Sequence, residues 1–545
     1  MNYILHRLRS CAPALAAALL LTACGGGGSS SSTPPSPPLP PPSSSLVRVS
    51  AASPFAAGCN GVQSGTLYEN AEVEPFVAVN PGNAANLIGV WQQDRYSDGG
   101  AHGLVAGASF DGGKTWNNVP LLMSRCAGGN AGNGADYARA SDPWVAISPN
   151  GTAYAISISF TGATFQAGSQ GAVLVVSSND GGQTWSNPTT LIVDGASAFN
   201  DKESITADPN DSNYVYAVWD RLTTSNVGPA WISRTSDGGQ SWEAAHILYN
   251  PGTNNQTLNN QIAVLPDGTV VDFFTEIDNS FQGNPNAFMA VVRSTDHGQT
   301  WSPPIKIADI QAIGATDPET GQDIRDGADL GQITAGPTGE LVVVWQDARF
   351  SGGKRDGVLL SRSGDGGLSW SSPIEINGDP NVQAFEPAVA VRSNGTIGVT
   401  YFDFRDDTAD PATLPTDYWL TQSSDGTNWS ESLVSGPFDF ALAPNAEGLF
   451  LGDYQGIVGV DDIGFLPFFV QTTGAGTSNR TDVYTLPPGA ASASAALAVR
   501  ARALTAATTV RMTPEFQSRV QARLLDLLRE EIPGRGKNPP PPEQP

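Results

Sequence analysis

The sequence predicts an all-β chain of repeated antiparallel strand units with one α-helix close to its C-terminal end, and three observations carry that prediction. A turn-like string recurs six times, and a second motif that opens each unit recurs seven times. Gly (60) and Pro (41) punctuate a chain of 545 residues that is 40% apolar but only 15% charged. That charged share lies below the roughly 25% of ordinary soluble domains, and the composition excludes a disordered chain, a coiled coil and a collagen. The formal net charge of -25 argues against nucleic acid as a partner.

The N-terminal segment is an address. Arg7 and Arg9 precede an apolar run from Ala12 to Leu20, which is too short to span a bilayer and has the form of a secretory signal. Leu21, Thr22, Ala23 and Cys24 follow. This quartet resembles a bacterial lipobox, and the resemblance implies cleavage before Cys24 and acylation of its thiol; the alternative is an ordinary signal peptide cut nearby. Residues 1–23 are thus expected to be a signal and 24–45, rich in Gly, Ser and Pro, a tether holding a folded body away from a membrane. The expected location is the cell envelope, with membrane contact through the lipid alone. Cys11 leaves with the signal, so the body retains Cys59 and Cys126. An exported pair without a CxxC spacing is expected to form a disulfide and to carry no metal or redox chemistry.

The body, 46–489, is organised by its repeats. SFDGGKTW (from Ser109), SNDGGQTW (Ser178), TSDGGQSW (Thr235), STDHGQTW (Ser294), SGDGGLSW (Ser363) and SSDGTNW (Ser423) place tryptophans 69, 57, 59, 69 and 59 residues apart, from Trp116 to Trp429. Each string lies between alternating apolar runs, as a hairpin connection does. The Asp can accept from turn amides, the glycines supply positive φ, and the Ser/Thr hydroxyls bond neighbouring backbone.

These strings resemble the Asp boxes, or BNR repeats, of the sialidase (neuraminidase) superfamily, and the resemblance implies a β-propeller of four-stranded antiparallel blades. The second repeat gives the blade count. Units open at Glu74, Asp142, Glu203, Asn259, Asp329, Glu386 and Asp453, with a small residue such as Ala78, Ala146, Ala207 or Ala263 suited to a crowded inner strand. Seven blades are expected, six being the alternative. The seventh unit lacks an Asp box, and its missing outer strand is assigned to LVRVSAA, 46–52. Trp91, Trp219 and Trp345 are expected in the core.

Alternating strand direction puts the starts of the inner strands and the ends of the second strands on one face, with the Asp boxes on the other. The first face collects Glu74, Asp142, Glu203, Glu386 and Asp453 together with Arg95, Arg221, Arg349 and Arg405. The guanidinium is a planar fork for a carboxylate, and paired carboxylates can serve as acid and base or nucleophile. Arg95, Arg221, Arg349, Arg405 and Glu203 are candidate substrate-binding residues on this reading; the alternative is that Asp and Arg of neighbouring blades pair with one another and hydrogen-bond the loops. The sialidase resemblance further implies Tyr454 as nucleophile, Glu386 as its partner and Asp142 as acid. The superfamily's first-arginine motif, Arg followed by Ile-Pro, is absent. Two functions remain open: an exo-sialidase-like glycosidase with its site in the central funnel, and a noncatalytic propeller binding a cell-surface glycan or protein.

Other chemistry lacks a motif. His102, His246 and His297 fit neither a GxSxG elbow nor HExxH. No cofactor or metal is expected, and calcium among the carboxylates has no DxDxDG loop to specify it. The last segment, 490–545, is expected to be an Ala-rich link, an amphipathic helix and a disordered Pro-rich tail. Thr513 is the expected cap and Pro514 the first helical residue, with Phe516, Val520, Leu524, Leu527 and Leu528 on one side for docking. A monomer is expected.

Overall fold

The computed structural model describes residues 45–279, 285–461, 463–474, 480–489, 497–503 and 512–531. The expected signal segment, Cys11, Cys24, all but the end of the expected tether and the Pro-rich C-terminal stretch lie outside the described residues. What is described is all-β apart from two short 3-10 turns and the helix Pro514–Glu531. None of its helices is long and apolar enough to cross a membrane.

The strands follow the repeats. The inner strands of the seven units are Leu67–Asn80, Arg139–Ile147, Ala198–Ala207, Gln256–Val264, Gln332–Ala335, Ala384–Val391 and Gly456–Val460. Each pairs antiparallel with the next strand in sequence, and in the first six units two further antiparallel strands follow outward. The seventh unit has three strands of its own. Val47–Arg48 is added to it, pairing antiparallel with Tyr484 and Thr485. Each inner strand packs against the next one, and Gly456–Val460 packs against both Ala384–Val391 and Leu67–Asn80.

Apolar cores lie where units face each other, and Trp91, Trp219 and Trp345 are fully buried in them. Close approach explains one glycine well: a Cβ on Gly89 would come within 2.1 Å of the Phe468 ring from the seventh unit. On the opposite face the Asp boxes close on themselves. In the first box, the Asp111 carboxylate accepts from the amides of Lys114 and Thr115 and from the Thr115 hydroxyl, while Ser109 Oγ donates to Asp111 and accepts from the Gly113 amide. Asp180 and Asp365 repeat this network.

Part of the expected link is strand. Leu497–Arg500 pairs with the outer strand of the sixth unit and Arg502–Ala503 with that of the fifth, so this segment crosses two neighbouring sheet edges. The helix then begins as its residues dictate. Thr513 Oγ1 accepts from the Phe516 amide, and Phe516, Val520, Leu524, Leu527 and Leu528 are buried against Ile310, Ala312, Ala328 and Leu330.

Candidate functional site

Five of the inner strands bulge near their starts. The register shifts there, and the residue at the shift has a left-handed backbone although it is not glycine: Glu74 (φ 53), Asp142 (φ 53), Lys202 (φ 49), Asn259 (φ 63) and Glu386 (φ 48). Such a conformation costs about 1–2 kcal/mol for a residue with a Cβ, and strain of this kind concentrates where function requires a side chain to be aimed. The third unit corrects the expected alignment. The repeat motif there aligns on Glu203, but the bulge lies at Lys202, one residue earlier. Glu203 points instead into a buried position where desolvation, reinforced by Asp142, pushes its carboxyl well above the usual range.

Lys202 is the hinge of a buried ionic cluster. Its Nζ lies 2.5 Å from Asp453 and 3.5 Å from Asp142. Arg325 forms a two-pronged pair with the same Asp453, at 3.0 and 2.7 Å. Burial alone would raise Asp453, yet Arg325 and Lys202 outweigh it and hold the carboxylate well below its usual range. Burial would likewise lower Lys202, but Asp142 and Asp453 hold it protonated. The neighbouring acids behave in the opposite way. Burial, with Asp142 and Asp453 nearby, pushes Glu74 up to about 8; burial, opposed by Lys202 and reinforced by Asp142, brings Asp201 to about 7.

This cluster forms one side of a cavity of about 490 Å³. Arg95, Asp142, Asp201, Lys202 and Arg325 line it, and Arg139 joins them at the rim. Phe160 and Phe199 form an apolar wall, both half-buried. The rim is built from the loop that the disulfide holds: Cys59 is bonded to Cys126, and Gln63 and Ser64 of that loop line the opening. Arg139 is committed to this rim through Asp98 and the carbonyls of Gly99 and Ser64.

Arg95 differs from the other arginines. It is buried and lies over the Phe450 ring, which it shares with Arg325. Its Nη1 donates to Gln92, while its Nε has no hydrogen-bond partner among the described residues. The remaining second-strand arginines are occupied outside the cavity lining. Arg221 pairs with Asp194, Arg349 with Asp347, and Arg405 with both Asp403 and Glu431.

Of the three residues given catalytic roles by the resemblance, Asp142 is the one that lines the cavity. Ser141 donates to its Oδ1. The Tyr454 hydroxyl donates to the Pro143 carbonyl at 3.1 Å, and its ring packs against Trp144 and Phe76. It is absent from the cavity lining, and burial, with Glu74 and Asp142 nearby, pushes its hydroxyl well above the usual range. Glu386 accepts from Gln455 and, at its amide, donates to Gln346. Asp201, Lys202, Arg139 and Arg325 were absent from the residues chosen by sequence. Lys202 and Asp201 immediately precede the chosen Glu203, so a one-residue bulge concealed them. Arg325 lies in an insertion between the fourth and fifth units and belongs to no repeat.

Residues 216–446 match the family of the BNR repeat-like domain. Among solved structures, the chain is similar to the Hadza microbial sialidase Hz136, at 18% identity and TM-score 0.42, over 61% of this chain and 64% of that one. It thus spans just under two thirds of that sialidase. It is also similar to a Dyadobacter fermentans DSM 18053 protein of unknown function (15%, TM-score 0.41, 82% and 100% of the two chains). A third is a Penicillium chrysogenum α-L-arabinanase complexed with arabinobiose (12%, TM-score 0.40, 82% and 99%).

Proposed function

We propose that this BNR-repeat chain is a glycoside hydrolase of the cell envelope, a monomer tethered through acylated Cys24, that binds an acidic sugar in the cavity beside Arg95. Its architecture in this reading is a seven-bladed propeller, supported by seven inner strands that neighbour one another in order, the last against the first. The observation that carries the proposal is the meeting in one cavity of the Arg95 guanidinium, whose Nε has no hydrogen-bond partner among the described residues, with two carboxyls, Asp142 and Asp201. Arg95 lines the cavity and has a buried Nε without an acceptor among the described residues; its guanidinium is the group we assign to a sugar carboxylate. In a chain of net charge -25, the cavity gathers four cations, Arg95, Arg139, Lys202 and Arg325, alongside Asp98, Asp142 and Asp201, and in this reading the cations are what draw an anion to it.

Asp201, at about 7, is poised as general acid and Asp142, held beside Lys202, as base. Asp201 gives its proton to the glycosidic oxygen as the bond to the anomeric carbon breaks. Water adds to that carbon and loses a proton to Asp142, after which solvent returns both carboxyls to their starting states. Tyr454 then serves as a positioning residue, fixing the Asp142–Pro143 bulge through the Pro143 carbonyl. Phe160 and Phe199 offer faces for the sugar ring.

The test is release of a fluorogenic leaving group from a panel of acidic and neutral aryl glycosides by the full chain. Asp142→Asn and Asp201→Asn should each lower kcat by roughly 10²–10⁴, whereas Tyr454→Phe should retain most of it. Activity should fall above a pH of about 7 as Asp201 loses its proton, and Asp201→Asn should abolish that limb. Abolition by Tyr454→Phe would instead return the nucleophile role to Tyr454. A second reading, a noncatalytic glycan-binding propeller, is favoured by the ion pairs that occupy Arg221, Arg349 and Arg405; binding of an acidic sugar with no turnover would establish it.

A further inference from the structure

We propose that Arg523 of the C-terminal helix is a positioning residue for the cavity, acting through Asp326 on Arg325; this rests on the reading that Arg325 belongs to a ligand site. Arg325 and Asp326 are consecutive and serve different neighbours. Arg325 faces the cavity and pairs with Asp453, while the fully buried Asp326 receives Arg523 Nη2 at 3.3 Å. A chain of charges therefore runs from the helix to the cavity: Arg523, Asp326, then by one peptide unit Arg325, Asp453, Lys202 and Asp142.

The surroundings make Arg523 consequential. Asp326 accepts from the Ala315 amide and from Gln346, which also donates to a second fully buried carboxyl, Asp356. Asp356 accepts from the amides of Ile313 and Gly314, and burial with Asp326 nearby pushes it well above the usual range. Arg523 is a cation beside Asp326. Its stem crosses Gly314 so closely that a Cβ there would lie 2.8 Å from Arg523 Cδ. The segment it anchors is thin: Ile324–Arg325 is a two-residue strand paired in parallel with Leu449–Phe450, and Phe450 is the ring on which both Arg95 and Arg325 lie. Removing this cation takes an ion-pair partner from a fully buried carboxyl, Asp326, and the two-residue strand that ends one residue before it carries Arg325 and pairs with Leu449–Phe450.

The experiment is hydrogen exchange of the full chain, read by mass spectrometry without any substrate, so that its outcome is independent of turnover. In Arg523→Met, peptides covering 323–326 and 449–453 should exchange about tenfold faster or more. Arg523→Lys, which retains the charge and safeguards folding, should show a smaller increase in the same peptides. Leu527→Ala, which loosens the helix without touching Asp326, should speed exchange in the helix and leave the cavity peptides unchanged. The proposal is overturned if Arg523→Met leaves 323–326 and 449–453 as protected as before, or if Leu527→Ala exposes them equally.

Discussion

In each repeated turn the first hydroxyl is a buried link between the Asp carboxylate and a glycine amide. Ser109 is fully buried, donates to Asp111 and accepts from the Gly113 amide, so its removal leaves a buried donor unsatisfied. Ser109→Ala should therefore destabilise the chain by about 1–2 kcal/mol, measurable as a lower midpoint in urea; an unchanged midpoint would show that water replaces the hydroxyl. The chemistry of these turns was legible because it is local: each of these hydrogen-bonded pairs is four residues apart or fewer. The cavity was less so. Asp142 and Arg95 stand at repeat positions and were found, but Lys202 was displaced by a bulge that exists only once two strands pair. Arg325 is brought in by a short parallel pairing with Leu449–Phe450, more than a hundred residues away. Such pairing leaves no periodic trace in the sequence.

At the scale of elements, the loop held by Cys59 and Cys126 links stability to the cavity. The cysteines are 67 residues apart, and the loop supplies Gln63 and Ser64 to the rim. Loss of a disulfide closing such a span costs about 2–5 kcal/mol. Reduction should lower the thermal midpoint and open the loop to protease around the fully exposed Val62; resistance to cleavage after reduction would assign the rim's order to Arg139 and Asn60 instead. Asn60 donates to the Ala138 carbonyl and could hold the loop by that route. The helix was legible from its spacing and its cap. The strands at 497–503 were concealed by their Ala-rich surroundings, because an added edge strand needs backbone partners more than a side-chain pattern.

For the whole molecule, the buried carboxyls predict an unusual pH response. Glu74 at about 8, Asp201 at about 7, Glu375 at about 7, Glu431 at about 7 and Asp417 at about 8 all hold protons more tightly folded than unfolded, with burial as the largest cause. Unfolded carboxyls ionise near pH 4, so from there upward the folded chain binds more protons than the unfolded one and stability falls as pH rises. The thermal midpoint should be higher at pH 5.5 than at pH 8. The turn carboxylates act in the other direction and at lower pH: Asp237 and Asp365 sit at about 2, and their contribution is lost only as pH falls below about 4. A midpoint that rises between pH 5.5 and 8 would contradict the assignment of protonated carboxyls to the interior.

The central claim is that the cations of the cavity bind an acidic sugar. It is tested most directly by calorimetric titration of the full chain with an acidic monosaccharide and its neutral counterpart, alongside Arg95→Met. The account predicts binding of the acidic sugar alone, weakened about tenfold or more by Arg95→Met and by added salt. Equal binding of both sugars, or binding of the acidic one undiminished in Arg95→Met, would contradict it.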